Sequence, residues 1–212
     1  DIEDISTTSS GLLTVDASGL TAQTAGTTTF DLNTTSLGTD GTANITGSGG
    51  DDAIQVGNFA STIVGGDGND DLGGGTAADN LSGGAGADNL DGGGGNDVLD
   101  GGAGNDTITA DAAGTVSIDA GTGDDTVNMG AQLTSGDTVA GGDGDDTLQI
   151  SAEATADAAA DVSGFEILEM TSDGQDQDMA QFTGNTFSSI DYAEGSATDS
   201  DVTNAGAAIS AI

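Results

Sequence analysis

An aliphatic residue recurs every nine positions through the middle of this chain. From Gly47 the sequence reads in nines: GSGGDDAIQ (47–55), a degenerate VGNFASTIV (56–64), GGDGNDDLG (65–73), GGTAADNLS (74–82), GGAGADNLD (83–91), GGGGNDVLD (92–100) and GGAGNDTIT (101–109). After one extra residue DAAGTVSID fits loosely at 111–119, and AGTGDDTVN follows at 120–128. Three residues later come QLTSGDTVA (132–140) and GGDGDDTLQ (141–149). The eighth position is apolar throughout: Ile54, Ile63, Leu72, Leu81, Leu90, Leu99, Ile108, Ile118, Val127, Val139 and Leu148. A flexible Gly/Asp-rich linker has no reason to keep that beat. A short fixed period of this kind is the signature of a solenoid, in which each unit buries its apolar residue only by stacking on its neighbours.

The beat decides a question that composition leaves open. The 212 residues hold 37 acidic side chains, 38 Gly, and no Lys, Arg or His, for a formal charge of −37. Leu, Ile, Val and Phe make about 18% of the chain, under the rough 20% line at which a highly charged sequence is expected to be disordered. Periodicity argues against disorder once the charge is neutralised. The same composition excludes whole classes of function. Nucleic-acid and anionic-membrane binding need basic residues. With no Cys there is no disulfide, zinc-finger or haem-thiolate site. No His, Lys or Cys is present for acid–base or nucleophilic catalysis. Ser188 and Ser189 have nothing to activate them, and Glu166 and Glu169 read as a charged outward edge of FEILEM (165–170) rather than an acid/base pair. The chain is therefore expected not to be an enzyme. No apolar run approaches 18 residues, so no membrane span is expected. Without an initial Met or a leader, the chain reads as a fragment of a longer secreted protein, or a processed one.

The units resemble the RTX nonapeptide, G-G-x-G-x-D-x-U-x, a calcium-binding β-roll repeat. Several near-perfect consecutive copies make the match specific. Glycines suit tight turns with φ > 0 that leave carbonyls exposed. The x-U-x part suits a very short strand whose middle residue points inward. The resemblance implies a right-handed parallel β-roll, two nonapeptides per coil, with coils about 4.8 Å apart and a slab roughly 26 Å long.

The resemblance also places calcium between successive turns on the same side, held by the sixth-position Asp and backbone carbonyls. Turns on one side are alternate repeats. On the first side the sixth positions are Asp52, Asp70, Asp88, Asp106, Asp125 and Asp146, an unbroken ladder. On the second they are Ser61, Asp79, Asp97, Val116 and Asp137, interrupted twice. The expectation is about five calcium ions on the first side and one or two on the second. Backbone carbonyls of Gly65, Asp67, Gly83, Ala85, Gly101 and Ala103 are expected to share in the ligation. The fifth-position Asp51, Asp124 and Asp145 read as solvated. Calcium suits such sites because it is hard and accepts carboxylates mixed with carbonyls.

Three segments are expected. Residues 1–46, rich in Thr and Ser, read as wider β-solenoid coils, with strand-like patches at 12–17, 27–32 and 43–46 and with Val15, Phe30 and Ile45 spaced by fifteen. Residues 47–149 are the roll. Residues 150–212 read as further coils, with strands at 165–170, 188–193 and 207–212, a brief helix or loop at 152–161, and a small core of Phe165, Phe182, Phe187 and Tyr192. The fold class is thus all-β, a roll extended at both ends. VDASGL (15–20), ANITGSGGDD (43–52) and VSGFEILEM (162–170) are similar to stretches flanking RTX blocks in bacterial surface-layer proteins. That likeness implies a calcium-dependent building block at the bacterial surface, exported unfolded through a type I channel. Its partners would be copies of itself in a lattice or fibre, with envelope polysaccharide reached through other parts of the chain. A spacer or binding segment of a giant RTX adhesin, or the secretion module of an RTX hydrolase or toxin, are the alternative readings.

Overall fold

The computed structural model describes residues 11–16, 31–33, 41–154, 158, 161–172, 177–178, 182, 185–192 and 202–203. They form a parallel β-solenoid of two sheets. One sheet has eight strands: Gly11–Asp16, Gly41–Thr46, Ala60–Asp67, Asn80–Ala85, Val98–Ala103, Ser117–Thr122, Thr138–Asp143 and Val162–Ser163. The other has nine shorter ones: Asp31–Asn33, Ala53–Gln55, Asp71–Gly73, Asn89–Asp91, Thr107–Thr109, Thr126–Gly130, Thr147–Ile150, Ile167–Met170 and Ser189–Tyr192. Consecutive strands alternate between the sheets, so each coil contributes one strand to each. Gln177–Asp178 and Val202–Thr203 pair separately.

The nine-residue beat becomes two inward columns. Ile45, Ile63, Leu81, Leu99, Ile118, Val139 and Val162 stack in register in the first sheet. Ile54, Leu72, Leu90, Ile108, Val127, Leu148 and Leu168 stack in the second. All are at most 2% exposed. The core is therefore narrow, and each coil adds only two central aliphatic residues to it. Leu90→Ala is expected to cost about 3–5 kcal/mol, because neither neighbouring coil can collapse into the gap without breaking register. Val98, 48% exposed on the outer face, is the control. Val98→Ala is expected to stay within about 0.5 kcal/mol in the same denaturant titration.

Two glycine positions show why the turns tolerate no side chain. Gly84 has φ +115 and Gly86 φ +144, where L residues are strained. A Cβ on either would run into the carbonyl of the preceding coil, Gly66 or Gly68. Backbone cannot move aside there without separating the coils.

The coil lengthens towards the C-terminus. Matching residues are 18 apart through Asp106, then 19, then 21. The strands of the nine-stranded sheet lengthen with the coil, and inward residues at their ends, Met129, Ile150 and Met170, join the central core with Ala110, all at most 2% exposed.

The flanks continue the same two sheets. Val15 pairs with Ile45 across a 30-residue coil, and Asp31–Asn33 pairs with Ala53–Gln55. Phe30 and the remainder of the 27–32 patch up to residue 30 lie outside the described residues, as does 207–212. Strands at Ile167–Met170 and Ser189–Tyr192 extend the nine-stranded sheet. Phe165, Phe182 and Phe187 are buried, the last two edge to face with ring centroids 5.6 Å apart. Tyr192 is in a strand, but its side chain lies outside the description. Within 152–161, Ala154 and Ala158 are buried, and 155–157 and 159–160 are not described. Among the described residues no helix is long and apolar enough to cross a membrane.

Candidate metal-binding turns

Every sixth-position Asp is buried, at 3% exposure or less: Asp52, Asp70, Asp88, Asp106, Asp125 and Asp146 on the first side, Asp79, Asp97 and Asp137 on the second. Their two carboxylate oxygens have separate jobs. In all but Asp52, Oδ1 accepts a backbone N–H from the sixth position of the preceding coil. Asp52 N–H donates to Asp70 (2.8 Å), Asp70 to Asp88 (2.8 Å), Asp88 to Asp106 (2.8 Å), Asp106 to Asp125 (2.7 Å) and Asp125 to Asp146 (2.9 Å). On the second side Ser61 donates to Asp79 (2.7 Å), Asp79 to Asp97 (2.9 Å) and Val116 to Asp137 (2.8 Å). This N–H lies in a turn with no strand partner, so the carboxylate substitutes for the missing carbonyl.

Oδ2 is left over. It is buried and without a hydrogen-bond partner at Asp70, Asp88, Asp106, Asp125 and Asp146 on the first side, and at Asp79 and Asp97 on the second. An orphaned carboxylate oxygen is costly, more so in a chain without any cationic side chain. Burial is the main force pushing these carboxyls up: Asp70 and Asp79 to about 7, Asp88 and Asp125 to about 6. Neighbouring aspartates push the same way at all four. Asp97, Asp106 and Asp146 are raised too, by burial first and then by Asp91, Asp100 and Glu166 respectively.

Five of the orphans face a carbonyl oxygen of the next coil. A Cβ on Gly65, Gly83, Gly101 or Gly141 would lie within 2.8 Å of both a carboxylate Oδ2 and a carbonyl oxygen. The pairs are Asp70 with Gly83, Asp88 with Gly101, Asp106 with Ala120, and Asp146 with Gly164. On the second side, a Cβ on Gly74 would lie 2.8 Å from both Asp79 Oδ2 and the Gly92 carbonyl. Asp97 has no such carbonyl beside Gly92, where the following turn on this side is the loosely fitting DAAGTVSID (111–119). At the Asp125 turn Ala120 replaces the cradle glycine. No group of three or more acidic side chains forms a metal cluster among the described residues. The donor set is instead one carboxylate plus backbone carbonyls from successive coils, a mixture of hard oxygens that suits calcium.

A comparison with protein-family models matches the RTX calcium-binding nonapeptide repeat, four copies, over residues 46–79, 73–108 and 134–149. Over those residues the chain is made of RTX repeats wound as a β-roll. RTX repeats bind calcium, and the buried oxygens of this roll fit that ion. No curated protein and no solved structure matches the chain.

Within the roll, the sixth-position residues are not alike. Asp52 Oδ1 accepts from the Ser48 hydroxyl (2.8 Å) and its Oδ2 from the Ser48 N–H. Asp137 Oδ2 accepts from both the Thr134 N–H (2.7 Å) and the Thr134 hydroxyl (3.1 Å). Both carboxylates are thus engaged by their own turns. The Gly65, Gly83 and Gly101 carbonyls sit at cradles. Those of Ala85 and Ala103 accept N–H bonds from Gly68 and Gly86 (2.8 Å each), and Asp67 pairs with Ala85 in the eight-stranded sheet. The fifth positions are more than a solvated rim. Asp51 and Asp124 accept N–H bonds from Asn69 (2.9 Å) and Asp145 (3.1 Å) of the next coil. This outer ladder runs opposite in sense to the inner one.

Sequence reasoning missed Glu166. Its Oε2 accepts the Asp146 N–H (3.0 Å), so it takes the sixth-position place in the coil after the last nonapeptide. The signal was present: Glu166 stands two residues before Leu168, which stacks on Leu148 as the next beat of the column. Glu169 lies on the outer face, where Gln149 donates to it (2.7 Å).

Proposed function

We propose that this chain is a calcium-dependent structural building block of an extracellular surface assembly, a surface-layer type of lattice. The observation that carries the reading is the set of orphaned carboxylate oxygens, five on the first side and two on the second. They support a reading in which calcium is held at Asp70, Asp88, Asp106, Asp125 and Asp146 on one side and at Asp79 and Asp97 on the other. When bound, calcium supplies the positive charge that the chain lacks. The chain's own groups do the rest. Sixth-position Oδ1 atoms zip the turns, Oδ2 atoms and carbonyls offer the cradle, and the two aliphatic columns fix the register. Without neutralisation, acidic repulsion and a narrow core favour the unfolded chain, which suits passage through a secretion channel. At the millimolar calcium typical of extracellular sites, binding free energy becomes folding free energy.

The lattice part of the reading is supported by continuity: both sheets run past the nonapeptides into the flanking strands. Electron microscopy of the purified chain with millimolar calcium, and of the native cell surface, tests it. Ordered two-dimensional arrays that disperse on chelation are expected. Isolated fibrils would instead favour an adhesin spacer, and monodisperse rods on a bare surface would overturn the lattice.

A further inference from the structure

The roll's last turn meets a coil that is not a nonapeptide. The family match ends at residue 149, and residues 161–166 read DVSGFE, with no GGxGxD turn. In the roll, Asp146 lies six positions after Ala140. In the following coil Ser163 stacks on Ala140, and Glu166 reaches the Asp146 position after only three more residues. This tighter link still presents oxygen to the roll. Asp146 is fully buried and its Oδ2 has no partner. A Cβ on Gly141 would lie within 2.8 Å of both that oxygen and the Gly164 carbonyl. Gly164 has φ +75, which frees its carbonyl to face the cradle. Glu166 uses Oε2 on the Asp146 N–H, which holds its carboxylate beside the turn. It also anchors the next coil, because its carbonyl accepts the Ser188 N–H (2.7 Å).

From this juxtaposition we infer that Asp146, the Gly164 carbonyl and Glu166 form a terminal calcium site outside the nonapeptide repeats, which fastens the C-terminal coils to the roll. The inference rests on the reading that the orphaned carboxylates bind calcium. It adds that the last site is completed by a coil outside the nonapeptides, with Glu166 in the place that the following Asp takes elsewhere in the ladder, and that occupancy there governs order in strands Ile167–Met170 and Ser189–Tyr192. Filling of this site is expected to dock the C-terminal coils on the roll.

The test uses the full chain, with calcium as the probe. Bound calcium is counted by elemental analysis after gel filtration, and order is read by hydrogen exchange at limiting calcium. Glu166→Gln keeps an acceptor for the Asp146 N–H and removes the charge. Asp146→Asn does the same for the Asp125 N–H. Each is expected to weaken one site at least about tenfold. Protection should fall in strands Ile167–Met170 and Ser189–Tyr192 while 53–109 stays protected. Glu169→Gln, on the outer face, should change neither readout. An unchanged calcium count in Glu166→Gln, or protection lost evenly along the chain, overturns the terminal site. Failure of the unmodified chain to bind calcium at all overturns the underlying reading as well, and is distinguished by affecting every turn.

Discussion

Acidifying the calcium-free chain from pH 7.5 to 5 is expected to restore β structure that chelation removes. The sign follows from the direction of the shifts. Buried carboxyls at Asp70 and Asp79 are pushed up to about 7, and those at Asp88 and Asp125 to about 6, from an ordinary 3.8 in the unfolded chain. Between those values the folded state binds more protons than the unfolded one, so stability falls as pH rises. The contribution is fully present below about 3.8 and is lost through the window of about 6 to 7. A proton thus replaces the missing cation at each orphaned Oδ2. The calcium-loaded chain is expected to behave in the opposite way, because ligation needs ionised carboxylates and protons compete with the metal. Circular dichroism and thermal melts across this range, with and without chelator, should give slopes of opposite sign. Parallel slopes would mean that these carboxylates are not the metal-sensitive groups.

The second large effect is an asymmetry between two aspartates that the repeat treats alike. Asp88→Ala removes an orphaned Oδ2 from a cradle shared with the Gly101 carbonyl, and also the acceptor of the Asp70 N–H. Loss of one bound calcium is expected. The stranded buried N–H adds a further cost of about 1–3 kcal/mol. Asp137→Ala removes a carboxylate already occupied by Val116 and Thr134. It should lower stability while leaving the calcium count unchanged. Isothermal titration of both variants beside the parent decides the matter. Equal loss of calcium would contradict the division between orphaned and engaged carboxylates.

How much of this was legible in the sequence can be judged residue by residue. The inward columns were, because period-nine apolar residues have one sensible place in a stacked coil. So was the broken second ladder, since Val116 cannot take the role of Asp. What replaced that ladder was not legible. Met129, Ile150 and Met170 fall between repeats, where the beat says nothing, and only the lengthened strands show that they add a second inward residue to the core. The special position of Asp137 was hidden for a related reason. Its Oδ2 is taken by a residue three positions earlier, in a unit that has Thr-Ser-Gly where the others have glycine-rich turns. The inner ladder was also invisible, because a pattern gives residue types at turns but not which oxygen faces which N–H. Glu166 escaped because the motif was read as Asp at position six. The aliphatic beat at Leu168, which is independent of the motif, points to it.

The central claim is that neutralisation of the buried carboxylates is a condition of folding. The most direct measurement is far-ultraviolet circular dichroism of the whole chain at pH 7.5, titrated with calcium from a chelated start. The account predicts an unfolded spectrum at the outset and a cooperative rise of β signal as calcium reaches the turns, reversed by renewed chelation. A chelated chain that already shows the full β signal, unchanged by added calcium, would contradict it.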